Sequence, residues 1–275
     1  MQQRLLILAV QLSLAPIGLN AAQSAPAPTP LLRAHAHNDY EHPRPLLDAL
    51  DHGFSSVEAD IYLVEGKLLV AHDLIKTRPA RTLQALYLDP LRARVTQNSG
   101  RVYPGGPTMT LLVDIKSEAE PTYAVLREIL GQYSDILTRF TADATEPKAV
   151  TVVLSGNRPR QTLAKEPVRF SSLDGRLPDL DGTESKNFIP LISDNWTGVF
   201  KWRGVGPFPE DEKQKLRQIV QKAHDQGRRI RFWGAPDRAD LWQALHAAGV
   251  DLINTDDLPG LQKFLSVHAR PKVAR

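Results

Sequence analysis

Two blocks of the sequence concentrate side chains that can move protons or hold ions: HAHNDYEH at 35–42 and EADIYLVEGKLLVAHD at 58–73. In the first, His35 and His37 are two residues apart, so on a strand both imidazoles point to the same side. In the second, Glu58 and Asp60 share one face of a strand, while Val57, Ala59 and Ile61 share the other. Adjacent carboxylates repel unless something positive lies between them, and a hard divalent cation with oxygen ligands is the simplest such partner. The stretch TLLVDIKS at 110–117 repeats the pattern, with Asp114 and Lys116 on one face. Asp114 can complete the protein ligands of the cation, and Lys116 adds a fixed positive charge for an anionic group. Beyond Gly66 the chain turns and Lys67 to Ala71 runs back, returning His72 and Asp73 towards His37. Two histidines flanking a cation, with a lysine, suit displacement at phosphorus. One imidazole takes the proton of the attacking oxygen, the other protonates the leaving oxygen, and the cation with Lys116 stabilises charge on the phosphoryl oxygens.

Short apolar runs alternating with amphipathic stretches must position these groups. Strands are expected at LLRAHA, SSVEADIYL, TLLVDIKS, KAVTVVLSG, VRFSSL, FIPLIS, RRIRFWG and VDLINT. Helices are expected at PRPLLDALDHG, TLQALYLDPLRARV, PTYAVLREILGQY, DEKQKLRQIVQKAHDQG, ADLWQALHAAG and LPGLQKFLSV. Strands separated by helices imply a parallel sheet. Eight of them in about 240 residues match a single closed (β/α)8 TIM barrel, whose active site lies at the carboxyl ends of the strands. An open doubly wound sheet is the alternative, but its Gly-rich phosphate loop is missing from the first turn, HAHNDYEHP.

Each element also has an ordinary reading: HxH as a polar strand end, ExD as surface alternation, His72-Asp73 as a turn, Asp114 with Lys116 as a salt-bridged strand end. Their joint placement at one rim favours a site. On the same rim, Ser155-Gly156-Asn157 and Ser193-Asp194-Asn195 either line the pocket or turn the chain. Trp233 reads as a wall for an apolar or sugar-like group ahead of plain barrel packing, and Asp256 and Asp257 as caps of the last helix ahead of groups that touch substrate. His224, His246 and His268 are expected on outer helices, facing solvent.

Of the 275 residues, 42% are hydrophobic and 24% charged, the balance of a globular chain. A formal charge of +3, dispersed and without an aromatic-basic stripe, argues against a nucleic-acid partner. Residues 1–22 have the layout of a secretory signal peptide: Arg4, an apolar run from Leu5 to Leu19, then small residues to Ala22. The run is short and interrupted, so no stable membrane span is expected after processing. Residues 23–30 form a Pro-rich tether, 31–268 the barrel and 269–275 a basic tail. An exported protein, periplasmic or secreted, is the expectation, and with no cysteine it is stable without disulfides. Nothing in the sequence fixes an oligomeric state.

The block HNDY, PLLDAL, SVEADIYL and LLVAHD resembles the glycerophosphodiester phosphodiesterase superfamily, similar in fold to phosphatidylinositol-specific phospholipases C, and in particular its branch opening with HNDY. DIK at 114–116, Trp233 and GVDLINTDDLPGL at 249–261 extend the resemblance along most of the chain. It implies a phosphodiester hydrolase of glycerophosphodiester-like or phospholipid-derived substrates, using a divalent cation, often calcium or magnesium. His37 and His72 match the family's acid-base histidines, Glu58 and Asp60 its metal carboxylates, and Asp114 stands where the family usually has Glu. In the family, a substrate hydroxyl beside the phosphate attacks first and water completes the reaction. Asn38 replaces the family's arginine; it donates a hydrogen bond without charge, so Lys116 or another arginine must meet the phosphate. His35 has no counterpart in the well-studied members and reads either as a partner that supports a site residue or, preferably, as a filled position.

Two other functions fit parts of this pattern. An amidohydrolase-like metal hydrolase would use HxH as ligands, but it needs further nitrogen ligands that strands four to eight do not contain. An exported phosphate-ester-binding protein without turnover would not need both His37 and His72.

Overall fold

The computed structural model describes residues 28–268. The signal peptide expected at 1–22, most of the 23–30 tether and the 269–275 tail lie outside the described residues. Eleven strands run β1 Leu31–Ala36, β2 Phe54–Val64, β3 Lys67–Val70, β4 Met109–Ile115, β5 Arg139–Phe140, β6 Thr145–Glu146, β7 Val150–Gly156, β8 Ser172–Gly175, β9 Leu191–Asn195, β10 Arg229–Trp233 and β11 Leu252–Thr255. Eight of them pair in parallel in the order β1-β11-β10-β9-β8-β7-β4-β2, and β1 also pairs with β2, which closes the barrel. The closed TIM barrel is therefore the fold, and the open sheet is excluded. Between and after the strands lie α1 Leu47–Asp51, α2 Asp89–Gln97, α3 Ala119–Gln132, α4 Arg160–Lys165, α5 Trp196–Val199, α6 Glu210–Asp225, α7 Ala239–Ala248 and α8 Leu258–His268.

The strands alternate as the sequence requires. Val57, Ala59 and Ile61 point outward and are fully buried in the large core between barrel and helices. Inside the barrel, Leu112, Val153, Leu191 and Leu252 form a separate small apolar cluster. The rest of the inward face is polar, including His35, Ser56, Glu58, Asp174, Ser193 and Arg231, all buried. A polar interior is costly unless its groups are paired, so these inward residues mark where the fold is shaped by something besides packing.

β3 returns antiparallel along β2, with Val64 opposite Lys67. The two-residue turn needs positive φ at both positions, and Glu65 at 47° and Gly66 at 76° supply it. The helix α6 has Glu210, Asp211 and Glu212 in its first turn and Lys222 and His224 in its last, matching the helix dipole. Its inner face buries Leu216, Val220 and Ala223.

Two expected elements are displaced for local reasons. The strand expected at 168–173 forms only at Ser172–Gly175, because Arg169 instead exchanges backbone hydrogen bonds with Phe140 of β5 at 2.9 and 3.0 Å. The helix expected from Pro43 shrinks to α1, since Leu46 takes a positive φ of 65° and its N–H donates to Asp39 Oδ2 at 2.6 Å.

Candidate active site

At the carboxyl end of the barrel a cavity of about 640 Å³ gathers every site residue expected from the sequence. His37 and Asn38 arrive from the β1 loop, Glu58 and Asp60 from β2, and His72 from the chain leaving β3. Asp114 and Lys116 come from the end of β4, and Trp233 from the end of β10. Ser155 and Asn157 also line it, whereas Ser193 and Asn195 are engaged elsewhere: Arg231 Nε donates to Ser193 Oγ, and Asn195 caps α5 through the Thr197 N–H.

The carboxylates converge because of register. Asp60 on β2 lies directly opposite Asp114 on β4, with Glu58 two residues below on the same face. Among the described residues, Glu58, Asp60 and Asp114 can each offer an oxygen within 4.8 Å of the others. Asp60 Oδ1 is buried without a hydrogen-bond partner, an acceptor held ready for a cation. Burial and the charge of Glu58 push the Asp60 carboxyl up to about 6, and burial also raises that of Asp114. An all-oxygen set under this mutual repulsion fits a hard divalent cation. Lys116 Nζ lies 3.1 Å from both Asp60 Oδ2 and Asp114 Oδ1 and offsets part of the charge.

Glu58 is anchored from below. Arg231 Nη1 donates to its Oε2 at 3.0 Å and to His35 Nε2 at 2.6 Å, while His35 Nδ1 donates to Ser56 Oγ at 2.7 Å. Burial opposes ionisation of Glu58, but the Arg231 charge outweighs it and holds the carboxyl well below its usual range. His35 is fully buried and, by desolvation and then Arg231, lowered to about 4, so it stays neutral and its Nε2 accepts a hydrogen bond from the guanidinium. His35 is thus more than a filled position: it belongs to the support of Glu58.

The two histidines at the mouth are oriented by different partners. His37 Nδ1 donates to Asp256 Oδ1 at 2.9 Å, which leaves Nε2 free, and the Asn38 amide donates to the same carboxylate at 3.3 Å. Burial works against a charge on His37, yet the Asp256 bond and the nearby acidic groups raise its pKa above the ordinary value. His72 Nδ1 lies 3.4 Å from Asp60 Oδ2 and 3.3 Å from Tyr40 Oη. Tyr40 Oη is also 2.7 Å from Asp60 Oδ2 and 2.8 Å from Asn38 Oδ1. Burial and the Asp60 charge raise the phenol's pKa, so it remains a donor.

Four residues of this arrangement escape the sequence reading. Asp257 does cap α8, accepting the Gly260 N–H at 3.0 Å, but its neighbour Asp256 turns to His37 instead. Tyr40 sits within HNDY, where only its neighbours carry an obvious role. Arg231 and Arg176 line the cavity from β10 and the end of β8. Arg176 is paired with Asp174 at 2.9 Å. The inward parity of Arg231 with Trp233 on RRIRFWG was the available signal for one of them.

Residues 27–171 match the AIM6-like phosphodiesterase domain family, and residues 229–259 match the glycerophosphoryl diester phosphodiesterase family. The chain is 33% identical to altered inheritance of mitochondria protein 6 of Eremothecium gossypii, covering 85% of this chain and 69% of that protein. It is 28% identical to the homologue from Arthroderma benhamiae, over 82% of this chain and 81% of that one. The match to the Lachancea thermotolerans protein is 31% identical, over 82% of this chain, and spans 64% of that protein's length. Among solved structures, a glycerophosphodiester phosphodiesterase from Parabacteroides distasonis superposes with a TM-score of 0.51 at 15% identity, covering 88% of this chain and all of that one (100%). One from Agrobacterium tumefaciens gives 0.50 at 15% identity, over 85% and 99%. These two likenesses support the barrel fold.

The relatives correct one expectation. Export, periplasmic or secreted, is overturned by relatives that are fungal proteins named for the inheritance of mitochondria. A basic, apolar and small-residue pattern reports how a segment meets an apolar environment and does not by itself name the compartment.

Proposed function

Because the chain belongs to the AIM6-like phosphodiesterase family, we propose that it is a metal-dependent phosphodiester hydrolase of glycerophosphodiester-like or phospholipid-derived substrates, with His37 and His72 as its acid-base pair. The observation that carries this reading is the convergence of two histidines, three carboxylates and a lysine from different strands on one cavity. Glu58, Asp60 and Asp114 would hold the cation, calcium or magnesium, which when bound supplies positive charge to the phosphoryl oxygens. His37, held through Nδ1 by Asp256, keeps its Nε2 unengaged at the cavity, and His72 lines the same cavity from the loop after β3. One takes the proton of the attacking oxygen and the other donates to the leaving oxygen. Lys116 and Asn38 bind the phosphate oxygens, the amide by hydrogen bonding alone. Trp233 walls the group beyond them.

Hydrolysis of bis-(p-nitrophenyl) phosphate and glycerophosphocholine, with EDTA and then with added calcium, magnesium or manganese, tests the reading. Turnover restored by a metal is expected, with His37→Ala and His72→Ala each losing about 100-fold or more while remaining folded. Near-wild-type turnover in either variant would overturn the roles given.

A further inference from the structure

Immediately after His72 the chain makes a closed excursion. Val70 N donates to Arg81 O at 2.8 Å and Leu69 bridges Thr82, so residues 71–80 leave and rejoin the edge of the β2–β3 hairpin. Tyr62 Oη donates to the His72 carbonyl at 3.1 Å and ties the start of the excursion to the site. Its tip, Leu74–Lys76, is a short 3-10 turn that buries no residue. The turn is nevertheless defined: Thr77 Oγ1 donates to Leu74 O at 2.8 Å, Lys76 N to Asp73 O at 2.9 Å, and Lys76 Nζ pairs with Asp73 at 3.1 Å.

This ordered turn holds two large apolar side chains in water. Ile75 is 88% exposed and Leu74 57%. Single exposed apolar residues are ordinary on a protein surface, but here two are adjacent, beside the mouth of the cavity, and followed by exposed Lys76 and Arg78. Apolar tips flanked by lysine and arginine match the boundary of a lipid layer, where the side chains enter the acyl region and the cations meet anionic headgroups. Among the described residues no helix is long and apolar enough to cross a membrane.

We propose that the tip formed by Leu74, Ile75, Lys76 and Arg78 docks on an anionic lipid surface and brings the mouth of the cavity to phosphodiester lipids held there. The lipid-substrate half of this inference rests on the phosphodiesterase reading; the docking half does not.

The chain has no cysteine, so Ile75→Cys in the full-length protein accepts an environment-sensitive dye at one position. On vesicles of phosphatidylglycerol and phosphatidylcholine the emission should shift to the blue, more than on phosphatidylcholine alone. An unchanged spectrum on both would overturn the docking. The double variant Leu74→Ser, Ile75→Ser should hydrolyse phosphatidylglycerol in vesicles about tenfold more slowly than wild type, as expected for loss of part of the interfacial contact. Its rate on bis-(p-nitrophenyl) phosphate should be unchanged. Equal rates of the two proteins on vesicles would overturn delivery by this tip. A wild type that hydrolyses neither substrate would instead sink the phosphodiesterase reading, and the dye would still decide the docking.

Discussion

Glu58 Oε2 accepts from Arg231, which His35 holds from its other side, so the buried carboxylate is neutralised from one side and its other oxygen stays available to a cation. Removing one partner of a buried pair leaves an uncompensated charge, so Arg231→Met should destabilise the protein by about 3–5 kcal/mol, read from urea unfolding. Arg231→Lys should recover part of that loss, since the charge returns without the fork that reaches both partners. Asp256 acts on the neighbouring histidine. Asp256→Asn keeps the size but weakens the acceptor that fixes the His37 ring, so kcat should fall about 10- to 100-fold with KM little changed. A fall in KM-controlled binding alone would place Asp256 outside the proton-transfer apparatus. Arg231 and Arg176 also line the cavity, but each is already paired with a carboxylate, Glu58 and Asp174 respectively.

The β1 loop is set by Asp39, whose Oδ2 accepts the Leu46 N–H at 2.6 Å and the Tyr87 hydroxyl at 2.8 Å. Burial raises this carboxyl from 3.8 to about 7, against the lowering effect of those two donors. A raised carboxyl favours the protonated folded state. That stabilisation is fully present below the unfolded value near 3.8 and is lost as pH rises through about 7. Asp39→Asn keeps an acceptor without the ionisation. Denaturation midpoints between those limits should therefore decline with pH in the wild type and stay flatter in the variant, by an amount on the order of a few kcal/mol. A parallel decline in both would assign the pH dependence elsewhere. At the end of β7, Gly156 has a φ of +67° and an added Cβ would meet Asp114 Oδ1 and the Ile115 backbone. Gly156→Ala should cost about 1–3 kcal/mol and displace Asp114, weakening metal binding measured by calorimetry.

The barrel brings the three carboxylates together against their own repulsion, so a bound cation should stabilise the entire fold. At a free cation concentration 100-fold above Kd the gain is about 2.7 kcal/mol, which corresponds to a rise in Tm of roughly 5–10 °C for a domain of this size. EDTA should reverse it. In Asp60→Asn the rise should shrink, because one of the three oxygen ligands no longer carries charge. A Tm indifferent to calcium, magnesium and manganese in the wild type would argue against a cation at these residues.

Periodicity made the barrel strands legible, with β8 displaced towards its carboxyl end, because inward and outward residues alternate along them and the helices bury only the outer set. The same parity placed Glu58 with Asp60 and Asp114 with Lys116, and the Gly66 turn returned His72 to them. Those inferences need only the strand period and a turn, which are local. Tertiary structure alone decided the partners that come from distant strands: Asp256 against His37 across 219 positions, Arg231 against Glu58 across 173, and Arg231 against His35 across 196. In a closed barrel the last strands lie beside the first, so a side chain at the end of the chain faces one at its beginning. No local pattern specifies that a given inward arginine, or one of two adjacent aspartates, will be the one to meet it.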